Sequence, residues 1–286
     1  METITLLMNE QEIADLKKRF SHYLSPKTPA YALFQIRCSE CVITAYQSKK
    51  VVFQGKEASF YANGTKATQQ HQAAYPQAGS DEVGTGDYFG PICVCASIVK
   101  QEQVSLLKEL KVNDSKQVND DWIRQIAPTL MKEITHSLLV LENERYNHIQ
   151  ESFNLNAIKA ILHNQAYVHL KNKANGLPDF CIVDQFTPEK SYYRYLASQP
   201  QIISNLHFET KAESKYLSVA VSSIIARYAF LQVMDAMSRH YDFDFPKGAG
   251  NNVDKKAAEF VKCYSMDELK KVAKLHFKNT QKLKEY

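Results

Sequence analysis

The chain is organised around the segment Ala78-Gly-Ser-Asp-Glu-Val-Gly-Thr-Gly-Asp-Tyr-Phe-Gly-Pro91. Two adjacent acids, Asp81 and Glu82, are followed by a glycine-rich stretch, and the largely apolar run 92–99 predicts a buried strand. Adjacent carboxylates repel each other and are costly to desolvate, and a bound cation commonly compensates for this. The segment therefore indicates a metal site beside a loop whose backbone can approach a ligand closely.

Two other interpretations of this segment stay open. An Asp-Glu pair before a glycine is often only a solvated turn. A dinucleotide-binding loop fits less well, because the spacing from Gly84 through Gly86 to Gly90 is one residue too long and leads into a strand instead of a helix. The carboxylates of Asp81, Glu82 and Asp87 would also repel a pyrophosphate.

The composition fits a globular protein with an uneven positive charge. The 286 residues suffice for one large domain or two smaller ones, and 44% are hydrophobic. The net charge is only +4, which is weaker than in a dedicated nucleic-acid binder. Residues 1–66 nevertheless carry nine Lys or Arg against six acids, and residues 255–286 carry nine Lys against four. Both ends of the chain are therefore suited to face a polyanion.

The cysteines and the N-terminus predict a cytoplasmic protein without a membrane segment. Cys93, Cys95 and Cys181 lie in apolar runs and are expected to be small buried hydrophobes. Cys38 and Cys41 lack a second pair, so a zinc site is poorly supported. No signal-peptide pattern and no run of 18 apolar residues is found. We expect a monomer.

The hydrophobic pattern predicts two domains of different character. Residues 1–62 read as a small α+β domain, with strands near 3–8, 30–37, 42–46 and 51–53 and a helix over 10–23. The polar stretch 63–76 predicts a linker. Residues 77–286 alternate between strands and helices. Their predicted strands are 92–99, 136–142, 180–184 and 206–208, and their helices are 102–110, 119–133, one starting after Asn154, a buried helix over 216–240, and two short Lys-rich helices in the tail.

Acids far apart in sequence border the predicted buried elements. They are the Asp81–Glu82 pair, Asp184 at the end of an apolar strand, and Glu213 just before the most apolar helix. Three or four converging carboxylates suit Mg²⁺ or Mn²⁺, and two such ions can activate water and stabilise the leaving oxygen of a phosphodiester. The spacing predicts a metal-dependent phosphoryl-transfer enzyme. Candidate phosphate contacts are Ser115, Lys116 and Arg227.

Several motifs also resemble one known family. The segment 79–91 closely resembles the first motif of the ribonuclease HII/HIII family. Other family blocks follow in the same order, namely Asp114-Ser115-Lys116, the strand ending in Asp184, Lys211-Ala-Glu213 and the stretch 218–227. The resemblance covers roughly residues 78–280. Two positions resemble the HIII branch more than ribonuclease HII. They are Thr85, where ribonuclease HII has Arg, and Glu213, where it has Asp.

The resemblance implies a fold and an activity. The fold is α/β, with a ribonuclease H-like mixed sheet of about five strands flanked by helices, and with a small substrate-holding N-terminal domain like the TATA-box-binding protein. The activity is endonucleolytic hydrolysis of the RNA strand of RNA–DNA hybrids, leaving 5′-phosphate and 3′-hydroxyl ends. The metal-binding acids would be Asp81, Glu82, Asp184 and Glu213. The backbone of Gly84, Thr85 and Gly86 would meet 2′-hydroxyls.

One difficulty and two rival functions remain at this point. Neighbours on a regular strand point to opposite faces, so Asp81 and Glu82 can share a metal only if the strand ends or bulges there. Gly84 favours an ending. The rivals are a hybrid-binding protein without cleavage and a DNA nuclease or integrase of the same fold.

Overall fold

The structure is a computed structural model that describes residues 2–38, 40–59, 61–62, 75–112 and 119–283. The chain divides into two compact units, Met1–Ala73 and Ala74–Tyr286. Ser115 and Lys116 and nearly all of the predicted linker lie outside the described residues.

The N-terminal unit is a four-stranded antiparallel sheet in the order β1-β4-β3-β2. Its elements are β1 (Glu2–Leu7), α1 (Glu10–Arg19), β2 (Ala32–Arg37), β3 (Cys41–Tyr46) and β4 (Lys50–Gly55). Ile13 and Leu16 of α1 lie in one core with alternate strand residues such as Ile36, Ile43 and Phe53. Asn9 caps α1 through a capping box with Glu12. The helix ends earlier than predicted, and a 3₁₀ turn, Ser21–Tyr23, follows it.

The C-terminal unit contains a mixed five-stranded sheet in the order β7-β6-β5-β8-β9. Its strands are β5 (Gln77–Val83), β6 (Ile92–Val99), β7 (Thr135–Leu141), β8 (Phe180–Asp184) and β9 (Leu206–Glu209). The pairs β5–β6 and β6–β7 are antiparallel, whereas β5–β8 and β8–β9 are parallel. This confirms the predicted mixed sheet. It also puts the carboxyl ends of β5, β8 and β9 at one edge.

Helices flank this sheet. They are α2 (Val104–Glu109), α3 (Asp120–Glu133), α4 (Asn143–Gln150), α5 (Leu155–Lys173), α6 (Glu189–Tyr195), α7 (Leu217–Tyr241), α8 (Asn251–Cys263), α9 (Met266–Val272) and α10 (Lys278–Lys282). Asn119 and Asn154 cap α3 and α5 by accepting a backbone N–H. The sequence prediction missed α4 and α6, and the tail contains three helices where two were expected.

Helix α7 packs closely against β5. A Cβ on Gly79 would lie 2.5 Å from the backbone nitrogen of Val219, so only glycine allows this approach. The Ser222 hydroxyl donates to the Gly79 carbonyl at 2.8 Å, and Ser97 donates to the Ser218 carbonyl at 2.8 Å. Helix α7 has the length and composition of a membrane span, but 72% of its most apolar stretch is buried in the protein, as in a core helix.

The sheet has an apolar core on each face. The core on the α7 side also includes residues of α3 and α8, together with Cys93 and Cys95. The core on the other side is built around α5 and includes Cys181. All three thiols are buried, as predicted. Strand β5 lies between the two cores, so its residues alternate between α7 and α5.

Candidate active site

Two of the predicted acids meet at the carboxyl end of the central parallel pair. Ser80 of β5 is in register with Val183 of β8, so the next residues, Asp81 and Asp184, are neighbours on the same sheet face. That face is covered by α7. Asp184 is the last residue of its strand. The acids therefore converge because two strands end side by side.

Asp81 is an acid in an unfavourable environment. Its residue exposure is 8%. Burial, aided by the negative charges of Glu82 and Asp184, raises the pKa of Asp81 to about 8, although a hydrogen bond from the Ser223 hydroxyl opposes the rise. One carboxylate oxygen accepts the backbone N–H of Glu82 at 2.8 Å. Such a carboxyl either holds a proton or needs a cation.

Glu213 approaches the same place from the turn that precedes α7. It lies in the 3₁₀ turn Ala212–Ser214, and the backbone N–H of Ala212 donates to Asp184 Oδ1 at 2.9 Å. Burial and the charge of Asp184 raise the pKa of Glu213. Glu213 Oε2 is buried and has no hydrogen-bond partner among the described residues. A buried polar atom without a partner is rare, and here it is consistent with a cation as the missing partner.

Glu82 lies on the opposite face of the sheet. Strand β5 ends at Val83, directly before Gly84, as Gly84 favours, but regular pairing with β6 runs through both acids. The side chain of Glu82 therefore points toward α5, where it contacts Lys159 and His163. Burial pushes the pKa of Glu82 up, but these contacts outweigh it and hold the pKa below its ordinary value.

The two glycines of the loop differ in what they do. Gly84 has a φ of +96°, and a Cβ there would lie 2.1 Å from the Pro91 carbonyl oxygen, so the fold itself requires glycine. Gly86 is exposed, and a Cβ there would meet no atom within 4 Å. Thr85 between them is half-buried. Gly86 thus presents the open backbone that the sequence analysis expected of both glycines.

The C-terminal tail anchors this loop. The Lys274 ammonium donates to the carbonyls of Asp87, at 2.8 Å, and Gly90. Asp87 in turn accepts the Gly248 backbone N–H at 2.6 Å. Burial lowers the pKa of Lys274 to about 7. The loop is therefore held from beneath by residues that the sequence analysis did not single out.

Arg227, a candidate phosphate contact, is engaged within the protein. Its guanidinium binds Asp120 at 3.0 Å, and Lys247 contacts the other oxygen of the same carboxylate. Burial raises the pKa of Asp120, but the two cations outweigh it and lower the value. Asp120 is the first residue of α3 and is separated by Asn119 from the stretch 113–118, which contains Ser115 and Lys116 and lies outside the described residues. The three candidates are thus not brought together by described contacts.

Lys159 and His163 are site residues that the sequence analysis missed. They lie in a helix whose other buried positions are mostly apolar. The available signal was their spacing, because residues four apart share one face of a helix. Only the tertiary contact with Glu82 identifies that face.

The donors fit a divalent cation, although they are not gathered around one point. No group of three or more His, Cys, Asp or Glu side chains forms a metal-binding cluster in the part of the chain that the structure describes. Repulsion keeps carboxylates apart when no cation joins them. The oxygen-only character of Asp81, Asp184 and Glu213 suits Mg²⁺ or Mn²⁺. The raised pKa of Asp81 and the unpartnered Glu213 oxygen are consistent with such an ion.

Comparison with known proteins supplies the family. A family model described as Ribonuclease HII matches residues 78–280, and one described as a domain of unknown function matches residues 3–77. The chain is 42% identical to the ribonuclease HIII of Bacillus pumilus (strain SAFR-032), with 100% of both chains covered. The chain belongs to the ribonuclease HIII family. As a member it is an endoribonuclease H, a metal-dependent hydrolase.

Solved structures agree with this membership of the ribonuclease HIII family. Bst-RNase HIII in complex with Mn²⁺ is 40% identical, with a TM-score of 0.74 over 99% of this chain and 98% of that one. RNase H3 of Aquifex aeolicus is 23% identical, with a TM-score of 0.58 over 96% of this chain and 99% of that one, and supports the fold alone. The predicted ribonuclease H-like α/β fold is thereby confirmed.

Proposed function

We propose that this protein cleaves the RNA strand of RNA–DNA hybrids internally, leaving 5′-phosphate and 3′-hydroxyl ends. The observation that carries the proposal is the convergence of Asp81, Asp184 and Glu213 beside the open backbone at Gly86. These acids would hold the metal ions, Mg²⁺ or Mn²⁺, and Glu82, one residue before β5 ends, would complete the set from the other face across that strand end. When bound, a pair of such ions activates a water and stabilises the leaving oxygen of the phosphodiester.

The protein's own residues orient the substrate and the acids. The raised pKa of Asp81 and the unpartnered Glu213 oxygen support roles as metal-binding acids. The exposed Gly86 supports a role for the loop backbone in contacting 2′-hydroxyls, which distinguish RNA from DNA in a minor groove. Ser115, Lys116 and Arg227 stay candidate phosphate contacts. Arg227 would have to share its charge between Asp120 and a phosphate.

The first test separates hybrid cleavage from the DNA nuclease alternative. Labelled RNA–DNA hybrid and DNA–DNA duplex of one sequence are incubated with the protein and Mg²⁺ or Mn²⁺. We expect nicking of the RNA strand only, with 3′-hydroxyl ends that a polymerase can extend. Equal cleavage of the DNA duplex would favour a DNA nuclease. Asp81→Asn should retain less than about a tenth of the wild-type rate, since it removes a proposed ligand charge.

A second test concerns which hybrids are cleaved. A loop that contacts the hybrid only through its backbone gains affinity by adding contacts along several riboses. The side chain of Thr85 is short and uncharged, so it adds no contact to a phosphate. We therefore propose efficient cleavage of a run of four ribonucleotides and little cleavage at a single embedded one. Matched duplexes under the same Mg²⁺ provide the measurement, and comparable rates on both would contradict the proposed preference.

A further inference from the structure

Two residues on one face of α5 hold both carboxylate oxygens of Glu82. Lys159 forms an ion pair with Oε1, and His163 Nε2 lies 2.8 Å from Oε2. The two side chains are four residues apart and therefore neighbours on the helix surface. We call Lys159 and His163 the Glu82 clamp. The clamp leaves this acid one fixed position in the structure.

The aromatic ring of Phe186 supports the clamp. The Lys159 ammonium lies 4.0 Å from the centroid of this ring, and the His163 imidazole stacks on the same ring at 5.3 Å with an angle of 29°. A cation over a desolvated ring is stabilised by the ring's quadrupole. Phe186 lies two residues beyond Asp184. Lys159 is thus held between Glu82 and the strand end that carries a second acid of the site.

The two members of the clamp make different contributions. A carboxylate only accepts hydrogen bonds, so His163 Nε2 carries a hydrogen and donates a hydrogen bond to Glu82. The buried Ser80 hydroxyl lies 2.8 Å from Nδ1 and holds the ring from its other side. Lys159 contributes a full positive charge. Lys159 is therefore the member of the clamp whose charge repels a metal cation.

Stability alone is a weak reason for this charge. The side chains of Lys159 and Glu82 are only 9% and 11% exposed, so both ions are largely desolvated. Desolvation of such a pair often offsets its attraction, and apolar residues of similar volume frequently serve a core as well. An ammonium placed beside acids that bind cations has a direct electrostatic effect on that binding.

We infer that Lys159 is a positioning residue that fixes Glu82 and lowers the affinity of the acidic site for divalent cations. This inference rests on the proposed function of the acids. A cation that reaches Glu82 must share Oε1 with Lys159 or displace Lys159. The Lys159 ammonium repels the cation in either case. Loss of Lys159 therefore strengthens metal binding but releases Glu82 from its position. Tighter metal binding and slower turnover should appear together, which a purely structural role does not produce.

The test measures both quantities on Lys159→Met in the full chain. Binding of Mn²⁺ is followed by the electron paramagnetic resonance signal of free Mn²⁺, which does not depend on activity. We expect the variant to bind Mn²⁺ about fivefold more tightly or better, because one nearby positive charge is gone. At saturating Mn²⁺ its kcat on an RNA–DNA hybrid should fall by about tenfold or more, because Glu82 is no longer held in place.

Three control variants isolate the charge. Lys171→Met removes an exposed lysine from the same helix and should leave Mn²⁺ binding within about twofold of wild type. Lys159→Arg keeps the charge and should not tighten Mn²⁺ binding. In a Glu82→Gln background, Lys159→Met should have much less effect on Mn²⁺ binding, since the proposed competition runs through that carboxylate.

The outcomes separate this inference from the proposed function. If the wild type binds Mn²⁺ and cleaves the hybrid but Lys159→Met binds Mn²⁺ equally or more weakly, the inference is overturned and the proposed function stands. If the wild type neither binds Mn²⁺ nor cleaves the hybrid, the proposed function itself fails. Should the Met variant not fold, Lys159→Gln removes the charge but retains a donor for Glu82, so it carries the same expectation for Mn²⁺ binding and is judged by that binding alone.

Discussion

At the scale of single residues, Asp81 concentrates the electrostatic cost of the site. Its pKa of about 8 means that the folded protein holds a proton that the unfolded chain releases near pH 4. Since the folded state binds the extra proton, stability should fall as the pH rises from about 4 toward about 8. We predict that Asp81→Asn removes most of this slope in EDTA and is more stable than wild type by at least about 1 kcal/mol at pH 8.

Denaturant unfolding at pH 5 and pH 8 measures this effect. The two proteins should be closer in stability at pH 5, where Asp81 is still protonated, than at pH 8. Addition of Mn²⁺ should reduce the difference at pH 8 by stabilising the wild type more than the variant. Parallel pH profiles of the two proteins in EDTA would contradict the elevated pKa.

The positions of Asp184 and Glu213 could be predicted from sequence, because Asp184 ends a strongly apolar strand and Glu213 precedes the most apolar helix. Asp81 was singled out by a different signal, its acidic neighbour Glu82 and the glycines that follow. Lys159 and His163 could not be assigned in this way, because a polar residue on an apolar helix face has many possible partners. The side on which the Glu82 side chain points depended on whether pairing with β6 runs through the acidic pair, which Gly84 alone does not show.

At the scale of elements, the approach of α7 to β5 fixes where Asp81 lies. Gly79→Ala would place a Cβ 2.5 Å from the Val219 nitrogen and 2.6 Å from the Ser218 hydroxyl, so the helix must move. We predict a loss of about 2 kcal/mol in unfolding free energy, with a lower kcat, because Asp81 is two residues along the same face.

Gly86→Ala is the matched comparison. Its Cβ has open space around it, so stability should change by no more than about 0.5 kcal/mol. If the loop backbone meets the hybrid, KM for the hybrid should rise while stability is kept. Thermal unfolding and steady-state kinetics on both variants check the pair. Equal destabilisation by the two substitutions would contradict the assigned roles of the glycines.

The strongly patterned elements were predictable, whereas the short ones were not. Strands β6 and β8 and the buried helix α7 are apolar runs. The length of each run decides between a strand and a helix. Helix α4 is mostly polar and buries little beyond Tyr146 and Asn143, and α6 has a single buried residue, Tyr192. Short helices of this kind are stabilised by tertiary packing, which a local pattern does not reveal.

At the scale of the whole molecule, the sheet face of the N-terminal unit opposite its core carries buried hydrogen-bonding groups and exposed basic groups. The residues that alternate with the core residues of β2 and β3 include Gln35, Arg37 and Thr44. The Gln35 amide donates to Thr44 at 3.1 Å, and the Arg37 guanidinium donates to the Gln35 oxygen at 3.1 Å. Lys50 at the start of β4 is exposed on the same face. Gln35 and Thr44 are buried, so the exposed Arg37 and Lys50 are the groups on this face that suit a nucleic-acid backbone.

Removal of residues 1–73 should therefore weaken binding more than chemistry. All four proposed metal-binding acids lie in the unit Ala74–Tyr286, which has its own core. We predict that the truncated protein binds an RNA–DNA hybrid about tenfold more weakly or worse. The dependence of log Kd on log salt should also become less steep, by about one unit for each phosphate that the truncated protein no longer neutralises. Fluorescence anisotropy in Ca²⁺ at several salt concentrations measures affinity. Single-turnover cleavage at saturating protein measures the chemical step, which should stay within about threefold of wild type.

Unchanged affinity and salt slope would show that the N-terminal unit does not hold the substrate. A slowed chemical step with intact binding would instead place part of the catalytic machinery in that unit.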